Sequence, residues 1–174
     1  MTLKILTSEV EKIASLKAGD KILLSGIIYT ARDAAHKKIA ELISAKEKLP
    51  IDFDGSIIYY CGPCPAKPGE VIGSCGPTTS SRMDAYAQTM HSLGVIATIG
   101  KGPRSNEAIE SIKKNKAKYF VATGGVGALI SKKVVSSSVV AFGELGAEAV
   151  YKLEIKNLPL VVGIDSLGTN IFDR

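Results

Sequence analysis

The chain has 174 residues, 45% of them apolar, and a net charge of +5, which is enough for one sizeable core and short for two independent ones. One domain over 1–174 is therefore the expectation. No window approaches the roughly 18 uninterrupted apolar residues of a membrane span, and the first residues, with Glu9 among them, lack the apolar stretch and small-residue cleavage site of an export signal; the expected setting is cytoplasmic.

The positive residues are scattered among acids, as over 41–48, and the six Tyr and four Phe do not interleave with them, so nucleic acid is not an expected partner. Lys113, Lys114, Lys116 and Lys118 form the one local cluster, read as solvent-facing cations at the carbonyl end of a helix.

In chain order, residues 21–29 are rich in branched side chains and read as a buried strand. A helix follows, with Thr30 and Asp33 as a capping pair and Ala31, Ala34, Ala35, Ile39, Leu42 and Ile43 at helical spacing, until Pro50 closes the region. Arg32 thus falls at a strand-to-helix corner. A second strand, 56–60, runs into a stretch dense in Gly and Pro, 61–77, whose length marks it as a site candidate. A second helix carries Met83, Tyr86, Ala87, Met90 and Leu93 on one face, with Ser81 and Asp84 as its capping pair, and Gly94 stops it. Strand 95–99, a helix begun by Ser105, strand 118–122 and a short helix opened by Gly124-Gly125 continue the alternation. Beyond Lys132 the chain becomes strand-rich, with strands expected over 133–142, 151–156 and 160–165. The class is α/β, with a β-rich tail.

Residues 76–84 read Gly-Pro-Thr-Thr-Ser-Ser-Arg-Met-Asp. Four hydroxyl residues at a helix start, followed by an arginine able to grip a carboxylate with two prongs, make an anion site. The plainer reading is a simple cap, which needs one hydroxyl. Arg32 and Lys101 occupy comparable corners past the ends of strands, where ligands of open α/β sheets bind, so three cations are placed to converge on a dicarboxylate. Arg104 reads as a surface loop residue. His36 shares a helix face with Arg32 and is a candidate catalytic group, whereas His91 reads as a surface or dipole residue.

Cys61, Cys64 and Cys75 are three thiols with no export signal, which argues against a disulfide framework. Three thiolates are the number that would hold a four-iron cluster with one iron open, and Cys-x-x-Cys also suits zinc or a redox pair; small buried thiols are the alternative. A stand-alone cysteine metal module is accordingly one reading of the chain.

The run 76–84, with Lys67-Pro68-Gly69-Glu70-Val71-Ile72-Gly73-Ser74 before it, resembles the signature of the class I fumarate hydratase beta subunit and its tartrate dehydratase relative. Ser25-Gly26 with Arg32-Asp33-Ala34-Ala35-His36, then Gly100-Lys101-Gly102, Thr123-Gly124-Gly125 and Glu144-Leu145-Gly146-Ala147-Glu148-Ala149, fall in the same order. The resemblance implies a swivelling β/β/α-type domain with a mixed sheet. It also implies a reaction of the tricarboxylic acid cycle, reversible hydration of fumarate to (S)-malate, with L-tartrate or another hydroxy-dicarboxylate as the alternative substrate. The site would be shared with an alpha subunit carrying a [4Fe-4S] cluster, in a hetero-oligomer, and this chain alone would hold no metal. Arg32, Arg82 and Lys101 would bind the substrate carboxylates, Thr78 would accept the C3 proton, and Thr79 would hydrogen bond beside it.

Overall fold

A computed structural model describes residues 1–123 and 126–173. The fold is α/β, built on a mixed seven-stranded sheet. Strands β1 (Thr2–Leu6), β2 (Lys21–Thr30), β3 (Ile57–Tyr59), β4 (Ala97–Gly100) and β5 (Lys118–Val121) lie parallel in that order. The long β7 (Val150–Ile164) is antiparallel to both β5 and β2, which closes β2, β3, β4, β5 and β7 into a five-stranded barrel. Outside this ring, β1 extends β2, and β6 (Val134–Ala141) runs along β7. Helices α1 (Val10–Ser15), α2 (Asp33–Ser44), α3 (Ala87–Ser92), α4 (Asn106–Lys114) and α5 (Gly127–Ser131) connect the strands. Among the described residues, no helix is long and apolar enough to cross a membrane.

Strand alternation builds two cores at once. Ile57 and Tyr59 of β3 point into the barrel with Leu24, Ile28, Ile99, Phe120 and Val162, while Ile58 and Tyr60 point outward against Ala35, Ile39, Met83 and Met90 beneath α2 and α3. Each large side chain so buried stabilises the fold by roughly 1.5–3 kcal/mol. Gly26 sits opposite the bulge of β7, where the register shifts between Leu24 and Gly26; it has φ +121, and a Cβ there would overlap the Thr7 side chain, whose Oγ1 accepts from Ile27 N–H at 3.0 Å.

The structure departs from the sequence reading at several points. β1 and α1 are additional elements, and the tail holds one 15-residue strand where two were expected. Asn157 and Pro159 look like a break, but Asn157 takes φ +52 as a bulge, its N–H satisfied by Ser25 Oγ at 2.9 Å, and the strand continues. Thr30 does not cap α2: it is buried, its hydroxyl accepting from Tyr151 N–H at 3.1 Å, and Arg32 occupies the cap position without a side-chain cap bond. The second helix is a 3-10 turn, Ser80–Tyr86, that passes into α3, and Ser81 and Asp84 form no capping pair. Ser105 does cap α4, accepting from Ala108 N–H at 3.2 Å. Lys118 is no solvent-facing cation; it is buried with Nζ donating to Ser166 Oγ at 2.8 Å. His91 is likewise buried, bonded to Ser111 Oγ at 2.7 Å. The helix start expected at Gly124-Gly125 falls outside the described residues, as does most of the block Thr123-Gly124-Gly125.

Candidate functional site

The carboxyl ends of the parallel strands gather three of the expected segments. β2 delivers Arg32, β3 runs into the 61–77 loop, and β4 delivers Lys101. Segment 78–80 is laid across the ends of β3 and β4 by backbone bonds: Thr78 N–H donates to Tyr60 O at 2.6 Å, Ser80 N–H donates to Lys101 O at 3.0 Å, and Thr79 bridges Lys101 in parallel register. The amides of Thr78 and Ser80 are therefore consumed in fixing the segment, and the short 3-10 turn is a poorer anion cradle than the α-helix start that was expected. Ser80 is also structural, with its buried hydroxyl 2.9 Å from Tyr119 OH. Thr79 and Ser81 remain exposed, and Thr78 is half-buried.

Arg82 reaches back from the 3-10 turn to α2, its Nη2 standing 3.1 Å from Asp33 Oδ2. Arg32 Nη2 lies 3.8 Å from that same oxygen. Two guanidinium groups thus face one carboxylate oxygen, the kind of meeting a bound carboxylate would require. Arg32 also has its Nε 3.9 Å from Glu148 Oε1, which in turn accepts from Ala34 N–H at 3.4 Å near the start of α2. Through Glu148 the 144–149 segment joins this corner. Gly62 makes room for Arg32: a Cβ there would stand 3.0 Å from Arg32 Cδ and 3.1 Å from Ala147 O. Among the described residues, the side chains of Arg32, Arg82 and Lys101 donate no close hydrogen bond, and the hydroxyls of Thr78 and Thr79 have no partner. Arg32 and Arg82 meet Asp33 and Glu148 here, and Lys101 carries a further positive charge past the end of β4, beside Thr79.

Sequence reasoning missed Asp33 beyond its supposed capping role, Glu148, and above all Arg104. Far from a surface loop residue, Arg104 has a side chain that is 0% exposed and that bonds Asp84 Oδ1 at 2.5 Å. Its place directly before the α4 cap was the only local sign. His36 packs between Tyr86 (5.4 Å) and the edge of Tyr60 (5.7 Å), its Nδ1 2.7 Å from Arg32 O. Burial pushes its pKa down to about 4, so it is a neutral core ring donating to Arg32 O, set behind the open corner.

The thiols do not gather as a metal site. Cys61 and Cys75 are buried neighbours; donating its S–H toward the Cys75 sulfur, together with burial, raises the Cys61 thiol well above its ordinary range, while Cys64 is exposed. Among the described residues, no three His, Cys, Asp or Glu side chains lie close enough to hold a metal ion. The residues present therefore do not fit an iron-sulfur cluster.

A closed mixed sheet, with Arg32 and Arg82 meeting on Asp33 at the carboxyl ends of its parallel strands, defines an α/β domain built on a five-stranded barrel. The chain belongs to the family described as Fumarase C-terminus, which matches residues 2–174. It is 41% identical over 168 residues to a Methanocaldococcus jannaschii protein named "Putative L(+)-tartrate dehydratase subunit beta", with 93% of this chain and 86% of that protein covered. It is 35% identical over 166 residues to "Fumarate hydratase 2" of Leishmania major and 33% identical over 165 residues to "Fumarate hydratase class I, anaerobic" of Escherichia coli K12. Those matches cover 94% of this chain but 29% and 30% of the two fumarate hydratases, so it spans less than a third of their length.

Proposed function

We propose that this chain is the beta subunit of a two-subunit hydro-lyase that adds water reversibly across the double bond of fumarate to give (S)-malate. The observation that carries the reading is the meeting of Arg32 and Arg82 on one carboxylate oxygen, 3.8 and 3.1 Å away, beside the Thr79–Lys101 bridge. In this reading Asp33 holds the two guanidinium groups together, and one substrate carboxylate binds beside it. Lys101 takes the second carboxylate. Fixing both ends of a four-carbon acid leaves its central carbons one orientation, which is where proton transfer becomes selective.

Thr78 is the proposed acceptor of the C3 proton, with Thr79 hydrogen bonding beside it. A threonine hydroxyl is a weak base, so the adjoining cations and a proton-accepting partner must assist it. That partner, and a [4Fe-4S] cluster, are assigned to a separate alpha subunit, in a cytoplasmic hetero-oligomer. The assignment is supported by the contrast in coverage, 86% of a protein named as a beta subunit against about 30% of the fumarate hydratases, and by the poor fit of Cys61, Cys64 and Cys75 to a cluster.

A second substrate, L-tartrate, is favoured by the 41% identity to the protein named as a tartrate dehydratase subunit. Co-expression with a cluster-bearing partner, followed by anaerobic assay on malate and L-tartrate, tests both. Turnover of malate supports the first reading, and turnover of tartrate alone replaces it with the second. An assembled enzyme inert toward both would overturn the hydro-lyase assignment.

A further inference from the structure

Beneath the open corner, Arg104 joins four elements. Its Nε donates to Asp84 Oδ1 at 2.5 Å, Nη1 to Thr98 Oγ1 at 3.2 Å, and Nη2 to Tyr60 OH at 3.3 Å. The guanidinium also lies over the rings of Tyr60 and Tyr119, 5.3 and 5.0 Å from their centres. The second oxygen of Asp84 accepts from Ser105 N–H at 2.7 Å, so the carboxylate grips the 104–105 turn with both atoms. Tyr119 extends the set, its OH donating to Gly102 O at 2.8 Å and accepting from Ser80 Oγ at 2.9 Å. Gly100 belongs to it by absence, since a Cβ there would overlap Ser80 Oγ.

These contacts connect the two segments that carry the clamp. Asp84 stands two residues beyond Arg82 in the 3-10 turn, and Arg104 stands three residues beyond Lys101. A buried ion pair is a poor device for stability, because desolvating both charges costs about what their attraction returns; its best-attested use is to fix register. Arg104 spends three directed donors on three different elements, which suits that use.

We propose that Arg104 is a positioning residue: through Asp84 it sets where Arg82 stands relative to Lys101, and so sets the span of the dicarboxylate clamp. The tether can be tested in the chain itself, while its kinetic consequence rests on the hydro-lyase reading. In the purified chain, hydrogen exchange at the Ser80 amide, which is bonded to Lys101 O, should quicken by about tenfold or more in Arg104→Lys and in the near-isosteric Asp84→Asn, while amides of the β2–β7 ladder keep their wild-type rates. Unchanged exchange at Ser80, or equal quickening everywhere, would overturn the tether.

In the enzyme assembled with its partner, Arg104→Lys should lower kcat/KM by about 100-fold, with KM raised. That loss should largely vanish in an Arg82→Ala background; strictly additive losses would show that Arg104 does not act through Arg82. An inert wild-type assembly would refute the hydro-lyase reading, and the Ser80 amide would still decide whether the tether exists.

Discussion

Two ion-pair sets, one holding Arg104 and the other Arg32 and Arg82, are joined through the 3-10 turn that carries both Arg82 and Asp84, and the fold treats them oppositely. Arg104 is sealed, each of its three kinds of donor nitrogen has a partner, and its carboxylate is fixed by a second bond from Ser105. Arg32 and Arg82 keep 26% and 54% of their side chains exposed and meet Asp33 without spending their donors on it. The buried set is complete in itself, whereas the open set is complete only with another anion. What distinguishes a binding cation here is the bonding capacity it has left, and charge alone would not have separated the two.

The largest effect that can break this comparison lies in the buried set. Asp84→Ala leaves the Arg104 charge buried without its counter-ion, and urea unfolding should show a loss of about 3–5 kcal/mol. A loss under 1 kcal/mol would mean that water reaches Arg104 and that the two sets differ little. Arg82→Ala is the converse test. In the assembled enzyme it should lower kcat/KM by about 100-fold, equivalent to roughly 2.7 kcal/mol, with unfolding stability changed by under about 1 kcal/mol, as befits a half-exposed pair. Full activity in that variant would remove Arg82 from the clamp.

The corner positions of the open cations were legible in the sequence, and the buried set was not, for a physical reason. Arg32, Arg82 and Lys101 follow strands or start turns, and local pattern reports such positions. Arg104 is defined by Asp84, Thr98, Tyr60 and Tyr119, partners brought from four elements by the closure of the barrel, and no local pattern encodes that. Asp84 shows the cost of local reasoning: its spacing from Ser81 matched a capping box, and a nonlocal ion pair took the side chain instead. The same holds for β7, where Asn157 and Pro159 signal a turn until Ser25 of the neighbouring strand satisfies the bulge.

Buried histidines sharpen the contrast through pH. His36 and His91 have pKa values pushed down to about 4, chiefly by burial and also by the Arg104 charge, against an ordinary 6.5 in the unfolded chain. The unfolded chain therefore binds protons first as pH falls, so stability is fully present above pH 6.5 and declines between 6.5 and 4. The decline should be about 1.4 kcal/mol per pH unit for each histidine. Unfolding midpoints measured between pH 7 and pH 5, a range above most carboxylate titration, should show this slope, and His36→Phe should reduce it. Half that slope would mean that one ring accepts its proton in the folded state, and a flat profile that both do.

Gly62→Ala should have the smallest effect, and it is the most discriminating because it alters no charge. The added methyl would stand 3.0 Å from Arg32 Cδ and 3.1 Å from Ala147 O, so the flexible arginine must give way before the backbone does. Stability should change by about 1 kcal/mol or less, since a partly exposed arginine can shift at low cost. The displaced guanidinium would no longer face Arg82 across Asp33, and kcat/KM for the dicarboxylate should fall by about three- to tenfold, with KM carrying most of the change. If the variant keeps wild-type kinetics while its thermal midpoint falls, Gly62 serves only to let the 61–77 loop pack beside the 144–149 segment. Kinetics altered at unchanged stability would show instead that the placement of Arg32, beyond its mere presence, belongs to the open set.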